Sequence, residues 1–299
     1  MPPQPYRPRS LQWQVFRGTD AVARDLLTVD QLRSSAWVRV LHDTYADDRL
    51  DHDHRLACQA VGLWLPDGAA IAGPSAAYLH GVEHAATFRD AVHIITPPTN
   101  RVGPHQGVRV HHAPIDDNEI AVVDGTARTT PLRTAWDVAH WLGLVPAVTT
   151  IDGLLRLGLV EAAALRALAE SRSGQRGWRQ AAAAFDLADG RAESPPESAL
   201  RVRLVRAGLP RPVPQHPVRL PDGAVYRPDL PWPEYQVAVE YDGRYHAAPF
   251  QLDRDRRRLN QLVAAGWIML HATSHHLHEG FGGLVRQARA ALRSRGWPG

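Results

Sequence analysis

Three carboxylates between residues 229 and 242 have spacing typical of a metal site. The alternating segment QVAVEYDG at 236–243 predicts a β-strand on which Glu240 and Asp242 point to the same face. They would lie roughly 6.5 to 7 Å apart along that strand. Asp229 ends the preceding predicted strand and would supply a third carboxylate. Crowded carboxylates repel one another unless a cation neutralises them, so hard oxygen ligands here indicate Mg²⁺ or Mn²⁺, which could polarise a phosphodiester.

The surrounding elements predict an αβββαβ core that would position these acids. Ser194 and Glu197 have capping-box spacing, and Pro195 stands at the first helical position. Turn residues and alternating apolar residues then predict a hairpin, a third strand, a helix and a last strand. The predicted ranges are 195–208, 217–230, 236–243, 250–265 and 267–273. A solvated sheet face that carries exposed carboxylates is the alternative explanation.

This region resembles the very short patch repair (Vsr)-like endonucleases within the PD-(D/E)xK restriction-endonuclease fold. The matching segments are SPPESALRVRLVRAGLP, YRPDL, VAVEYDGRYH and DRDRRRLNQLVAAGWIMLHAT, within residues 193–288. The resemblance implies that Asp229 and Glu240 bind the metal and that Asp242 stands where ordinary members have lysine. It also implies that Glu197 is the first-helix acid and places His246 near the scissile phosphate. Capping explains a glutamate at position 197 equally well.

Two departures distinguish this chain from the enzymes that it resembles. It contains no lysine, because all 34 basic residues are arginine. Asp242, through the metal, or Arg256 on the following helix would have to compensate, although a surface ion pair is the alternative role for Arg256. The single cysteine, Cys58, cannot build the cysteine-rich zinc site of mismatch-specific Vsr enzymes and is expected to be a small buried hydrophobe.

The charge distribution indicates where nucleic acid would bind. Residues 1–190 carry 18 arginines and 21 acids, a net charge of −3, whereas residues 191–299 carry 16 arginines and 10 acids, a net charge of +6. A basic C-terminal part is compatible with phosphate binding, and DNA is the main partner expected. The candidate phosphate contacts are Arg201, Arg203, Arg254, Arg257 and Arg258.

The front of the chain predicts a winged-helix-like module. A capping box at Thr28 and Gln31 predicts a second helix, and Val38, Val40 and Tyr45 suggest a wing. The segment LLTVDQL at 26–32 resembles the opening of the AbiEi kind of type IV antitoxin, a domain linked to operator binding. The resemblance implies a toxin or another protein as partner. Many aspartates surround this segment and oppose tight phosphate contact, so a structural role is the alternative.

Length and composition predict a globular protein of several domains. The 299 residues are 44% hydrophobic and 22% charged, which excludes a disordered chain or a disulfide-stapled miniprotein. We expect an α/β (α+β overall) fold, with a winged-helix-like module at 1–54, a mixed α/β antitoxin-like domain at 55–188 and a nuclease-like domain at 189–299. No apolar run is long enough for a bilayer span or a secretion signal, so we expect a cytoplasmic protein with no membrane partner.

The expected function is a metal-dependent DNA endonuclease with a regulatory or recruiting front region. The alternative is a non-catalytic type IV antitoxin or transcriptional regulator that binds DNA or a toxin partner.

Overall fold

The computed structural model describes residues 5–100, 102–220, 222–242, 257, 259–273, 276 and 281–299. The chain contains both helices and β-sheets, which confirms the α/β (α+β overall) fold class. The chain forms two compact units, Met1–Trp141 and Leu142–Gly299. The predicted boundaries at 54/55 and 188/189 therefore fall inside these units. Within the described residues, no helix has the length and apolarity that crossing a membrane requires.

The first unit opens with a three-stranded antiparallel sheet of order β1-β3-β2. Its elements are β1 (Val15–Arg17), α1 (Gly18–Ala23), β2 (Trp37–Leu41) and β3 (Thr44–Asp47). The predicted capping box is present, because Gln31 N donates to Thr28 Oγ1 over 3.2 Å and Thr28 N donates to Gln31 Oε1 over 2.8 Å. It begins only the 3-10 turn Gln31–Arg33. The predicted second helix is wrong, because Ser34 already returns to extended backbone on the way into β2.

A five-stranded sheet of order β6-β5-β4-β8-β7 forms the rest of this unit. Its elements are α2 (His54–Gly62), β4 (Ala70–Ile71), α3 (Gly73–Leu79), β5 (Val92–Thr96), β6 (Val108–His112), β7 (Ile120–Val123), β8 (Thr126–Thr129) and α4 (Pro131–Trp141). Cys58 and Val61 of α2 pack against Ile71 and Ile94 of the sheet. Cys58 is fully buried, which confirms its expected place in the core.

The second unit begins with four helices and ends with a mixed sheet. The helices are α5 (Leu144–Arg156), α6 (Ala162–Ser171), α7 (Trp178–Leu187) and α8 (Pro195–Arg206). The strands are β9 (Val218–Arg219), β10 (Val225–Tyr226), β11 (Leu230–Trp232), β12 (Val237–Asp242) and β13 (Ile268–Thr273), and α9 (Gly282–Ser294) follows. Residues 259–264 are helical. In the sheet, β12 pairs antiparallel with β11 and parallel with β13.

The predicted hairpin at 217–230 is two separate features. Strands β9 and β10 form a short antiparallel ribbon, while Leu230–Trp232 forms a strand in the main sheet. The described residues therefore form four strands, β9 to β12, where the predicted αβββαβ order has three. The chain leaves the ribbon at Arg227 and Pro228, because a proline has no N–H to donate to a ladder of backbone hydrogen bonds.

The alternation predicted for β12 is confirmed by the packing of its side chains. Val237 and Val239 pack with Leu200 and Leu204 of α8, whereas Ala238 packs in a different cluster. Even-numbered and odd-numbered side chains therefore point to opposite faces. Glu240 therefore points to the same face as Ala238, one step further along the strand.

A buried ion pair joins α8 to α5. Arg201 Nη2 lies 2.6 Å from Asp152 Oδ2, with exposed side-chain fractions of 0% and 2%, and the same guanidinium donates to the carbonyl oxygen of Leu187 at the end of α7. Burial raises the pKa of Asp152, against the attraction of Arg201. These contacts tie α5 and the end of α7 to α8 within the C-terminal unit.

Candidate functional site

The end of β12 brings Asp229 and Glu240 together. Leu230 pairs with Val239 across the antiparallel ladder, so the residue before one lies beside the residue after the other. The backbone N–H of Tyr241 donates to Asp229 Oδ2 over 2.9 Å and holds that carboxylate against β12. The predicted proximity of these two acids is therefore a feature of the fold.

The electrostatics of Asp229 are unusual for a carboxylate. Burial, with the negative charges of Glu197, Glu240 and Glu193, raises the pKa of Asp229 to about 7, against the hydrogen bond from Tyr241 N, which lowers it. Close to neutral pH this group therefore exchanges its proton readily. A cation bound here would replace that proton and remove the repulsion.

Glu197 belongs to the same electrostatic cluster while it caps α8. Ser194 Oγ donates to Glu197 Oε1 over 2.7 Å, and the backbone N–H of Glu193 donates to Glu197 Oε2 over 2.9 Å. The side chain is buried, with 7% of the residue exposed. The two explanations that the sequence left open are thus compatible, because the capping contacts hold the carboxylate where its charge acts on Asp229.

Tyr226 on β10 is a neighbour of the site that the sequence did not single out. Its phenol donates to Glu240 Oε1. The only signal in the sequence is its place in YRPDL, three residues before Asp229. Because β10 lies outside the main sheet, the periodicity of the strands could not predict this contact.

Asp242 lies farther out and pairs with a histidine. His271 Nδ1 lies 2.9 Å from Asp242 Oδ2, and the Asp242 side chain is 56% exposed. His271 stands on β13 opposite Glu240 in the parallel ladder. The sequence assigned no role to His271, and its pairing with Asp242 is seen only in the structure.

Asp229 and Glu240 are oxygen donors of the kind that divalent cations prefer. Among the described residues, no group of three or more His, Cys, Asp or Glu side chains is arranged to hold a metal ion. Magnesium sites commonly use only one or two carboxylates, and water or substrate phosphate completes the shell. Asp229 and Glu240 fit that chemistry, because both are hard oxygen donors. Their two negative charges lie side by side and repel one another unless a cation neutralises them.

The arginines predicted to contact phosphate differ in their exposure to solvent. Arg201 is fully buried in the ion pair with Asp152, so its prediction as a phosphate contact is wrong for this conformation. The Arg203 guanidinium lies 5.0 Å from the centroid of the Phe281 ring and is half-buried. Arg257 is exposed. Arg227, two residues before Asp229, is also exposed.

Four predicted residues lie outside the described residues: His246, Arg254, Arg256 and Arg258. Their roles stay predictions from the sequence.

Comparison with known proteins gives two similar sequences, both from Mycobacterium tuberculosis. "Uncharacterized protein MT2308" of strain CDC 1551 / Oshkosh and "Uncharacterized protein Rv2248" of strain ATCC 25618 / H37Rv are each 33% identical to this chain over 242 residues. The match covers 80% of this chain and 86% of each relative. No protein-family model and no solved structure matches the chain.

Proposed function

The chain belongs to the same family as these two Mycobacterium tuberculosis proteins, and we propose that it is a metal-dependent DNA endonuclease. The observation that carries the proposal is the half-buried pair of Asp229 and Glu240, which lie side by side across the β11–β12 ladder, with the pKa of Asp229 raised to about 7 by partial burial and by neighbouring carboxylates. A fold that only needed stability would gain from neutral residues at this position. Binding of a cation would explain why two carboxylates lie so close together.

Asp229 and Glu240 would hold Mg²⁺ or Mn²⁺. The bound cation would polarise the scissile phosphodiester and make a water molecule more acidic. The hydrogen bonds from Tyr241 N and from the Tyr226 phenol orient the two carboxylates. Glu197 keeps the local potential negative and so favours a cation.

The chain's own residues supply two further parts of the chemistry. The imidazole of His271, oriented by its hydrogen bond with Asp242, can act as a proton acceptor or donor in the reaction. Arginine at exposed positions 227 and 257 can contact the phosphate backbone, and those contacts release condensed counterions. We therefore expect DNA binding that weakens steeply as salt concentration rises.

The test is cleavage of duplex and single-stranded DNA by the full-length protein with Mg²⁺, with Mn²⁺ and with EDTA. Asp229→Asn and Glu240→Gln are expected to abolish cutting and to leave the circular dichroism spectrum unchanged. Glu234→Gln is the matched control, because Glu234 is an exposed glutamate in the 3-10 turn between β11 and β12. Cleavage in EDTA would refute metal dependence, and equal cleavage by both site variants and the control would refute Asp229 and Glu240 as the active site.

A non-catalytic regulator is the second candidate function. The absence of lysine from the whole chain favours it, because the lysine of ordinary PD-(D/E)xK sites is replaced by an aspartate that pairs with a histidine. Under this alternative, calorimetry would detect Mn²⁺ binding and DNA binding by the wild type without any cleavage. A toxin or another protein partner would then act through the N-terminal region.

A further inference from the structure

The first unit contains a cavity of about 180 Å³ that is unrelated to the carboxylate site. On α2 the lining residues are Arg55, Cys58 and Gln59, which lie on one face of the helix because they are three and four positions apart. Thr126 and Arg128 line it from β8. Four of these five side chains carry strong hydrogen-bond donors, and two carry a permanent positive charge.

Arg128 is buried with an unsatisfied donor. The residue is 9% exposed, and its Nη1 donates to the carbonyl oxygen of Leu79 over 2.7 Å. Its Nε is buried and lacks a hydrogen-bond partner among the described residues. The Arg128 guanidinium therefore lines the cavity with hydrogen-bonding capacity that the protein uses only in part.

The positive charge in the cavity is not neutralised by an ion pair. In the part of the chain that the structure describes, neither Arg55 nor Arg128 forms a salt bridge. Asp124, an exposed residue in the turn before β8, is the one acid among the residues that line the cavity. Burial lowers the pKa of Arg128, Asp124 opposes that shift, and the charge of Arg55 adds to it. Both arginines line the same cavity, and their like charges repel one another.

The neutral groups of the cavity help to indicate which ligands it can bind. Burial raises the pKa of the Cys58 thiol, so this cysteine stays protonated and does not act as a nucleophile. The Thr126 hydroxyl and the Gln59 amide add uncharged donors. Two guanidinium groups with two neutral donors suit an anion that has four acceptor oxygens and two negative charges better than they suit a carboxylate.

We propose that this cavity binds a phosphate group, with Arg55 and Arg128 as its cationic contacts and Thr126 and Gln59 as neutral donors. The group is inorganic phosphate or the phosphate of a small phosphomonoester. The site lies wholly in the first unit, so it is independent of the endonuclease proposed for the C-terminal unit.

Isothermal titration calorimetry on the full-length protein tests this site, with sodium phosphate, glycerol phosphate and sodium acetate as separate ligands at constant ionic strength. We expect binding of at least one phosphate compound and weaker binding of acetate. Arg55→Gln should weaken phosphate binding about tenfold or more, because a charge-assisted hydrogen bond is lost. Arg55 is exposed on α2, so this variant should fold.

Two further variants make the result specific. Arg24→Gln, which changes an exposed arginine at the end of α1, should bind phosphate like the wild type. Arg128→Gln should weaken binding at least as much as Arg55→Gln, provided that its circular dichroism spectrum is native. Whichever phosphate compound binds more tightly identifies the source of the group. Absence of phosphate binding, equal affinity for acetate, or unchanged affinity in Arg55→Gln would overturn the proposal.

Discussion

Asp229→Asn should stabilise the metal-free protein at neutral and alkaline pH, although it removes a residue of the candidate site. The amide keeps an oxygen that can accept from Tyr241 N, and it carries no charge to repel Glu197 and Glu240. The folded protein raises the pKa of Asp229 from the ordinary 3.8 to about 7. A change of that size corresponds to at most roughly 4 kcal/mol. Because Asp229 is only partly buried, solvent screening reduces the expected gain to about 1–2 kcal/mol.

The pH dependence distinguishes this cause from a general effect of the substitution. A folded pKa above the unfolded value means that the contribution of Asp229 is fully present below pH 3.8 and is lost as pH rises through about 7. Urea unfolding in EDTA should therefore give nearly equal stabilities for wild type and Asp229→Asn at acidic pH. At alkaline pH the variant should be the more stable. Glu234→Gln, the exposed control, should show no such trend.

Mn²⁺ should reverse the order of stability. The wild type has both carboxylates that would hold the cation, whereas the variant keeps only that of Glu240, and a ligand that binds the folded state stabilises it. The affinity for Mn²⁺ should itself increase as pH rises through about 7, because binding requires loss of the Asp229 proton. A variant less stable than the wild type in EDTA at alkaline pH, or a stability difference that does not change with pH, would refute this account of the site.

Three other regions give further expectations. Arg201→Ala leaves a buried carboxylate without its partner and should lower the free energy of unfolding by about 3–5 kcal/mol, measured by urea unfolding. A fragment of residues 142–299 should fold, whereas a fragment of residues 189–299 should give a poorly structured circular dichroism spectrum, since it lacks the other half of that ion pair. Asp47→Asn should cost about 1–2 kcal/mol above pH 4, because the neighbouring Arg49 hydrogen bond lowers the pKa of Asp47 to about 2, and this difference should vanish as pH falls through that value. If Arg256 takes the place of the missing lysine, Arg256→Ala should lower the cleavage rate by about 10² to 10³ with Mn²⁺ affinity unchanged, and a full rate would assign it to a surface ion pair.

Local patterns in the sequence were sufficient for the strands and caps around the candidate site. The alternation of β12 placed Val237 and Val239 on one face and Glu240 on the other. The spacing of Ser194 and Glu197 marked the start of α8. Such features depend on residues within a few positions of each other, and the physical rules for strand alternation and helix capping act over that range.

The same local rules failed where the chain had to choose between elements. The capping box at Thr28 and Gln31 exists, yet only a 3-10 turn follows it, because the next strand begins at Trp37. Likewise the predicted hairpin at 217–230 is divided: β9 and β10 form a ribbon, and Leu230 begins a strand of the main sheet. Capping groups and alternation define where an element can start, while packing against the rest of the fold decides how far it continues.

The partners of the charged residues were decided by the tertiary structure alone. Arg201 looks like any other basic residue in a basic helix, but its partner Asp152 lies 49 positions earlier in the chain. The neighbours of Asp229 are equally distant, since Glu197 comes from α8 and Glu240 from β12. Charge interactions depend on distance in space and on exclusion of water, and neither quantity is set by spacing along the sequence.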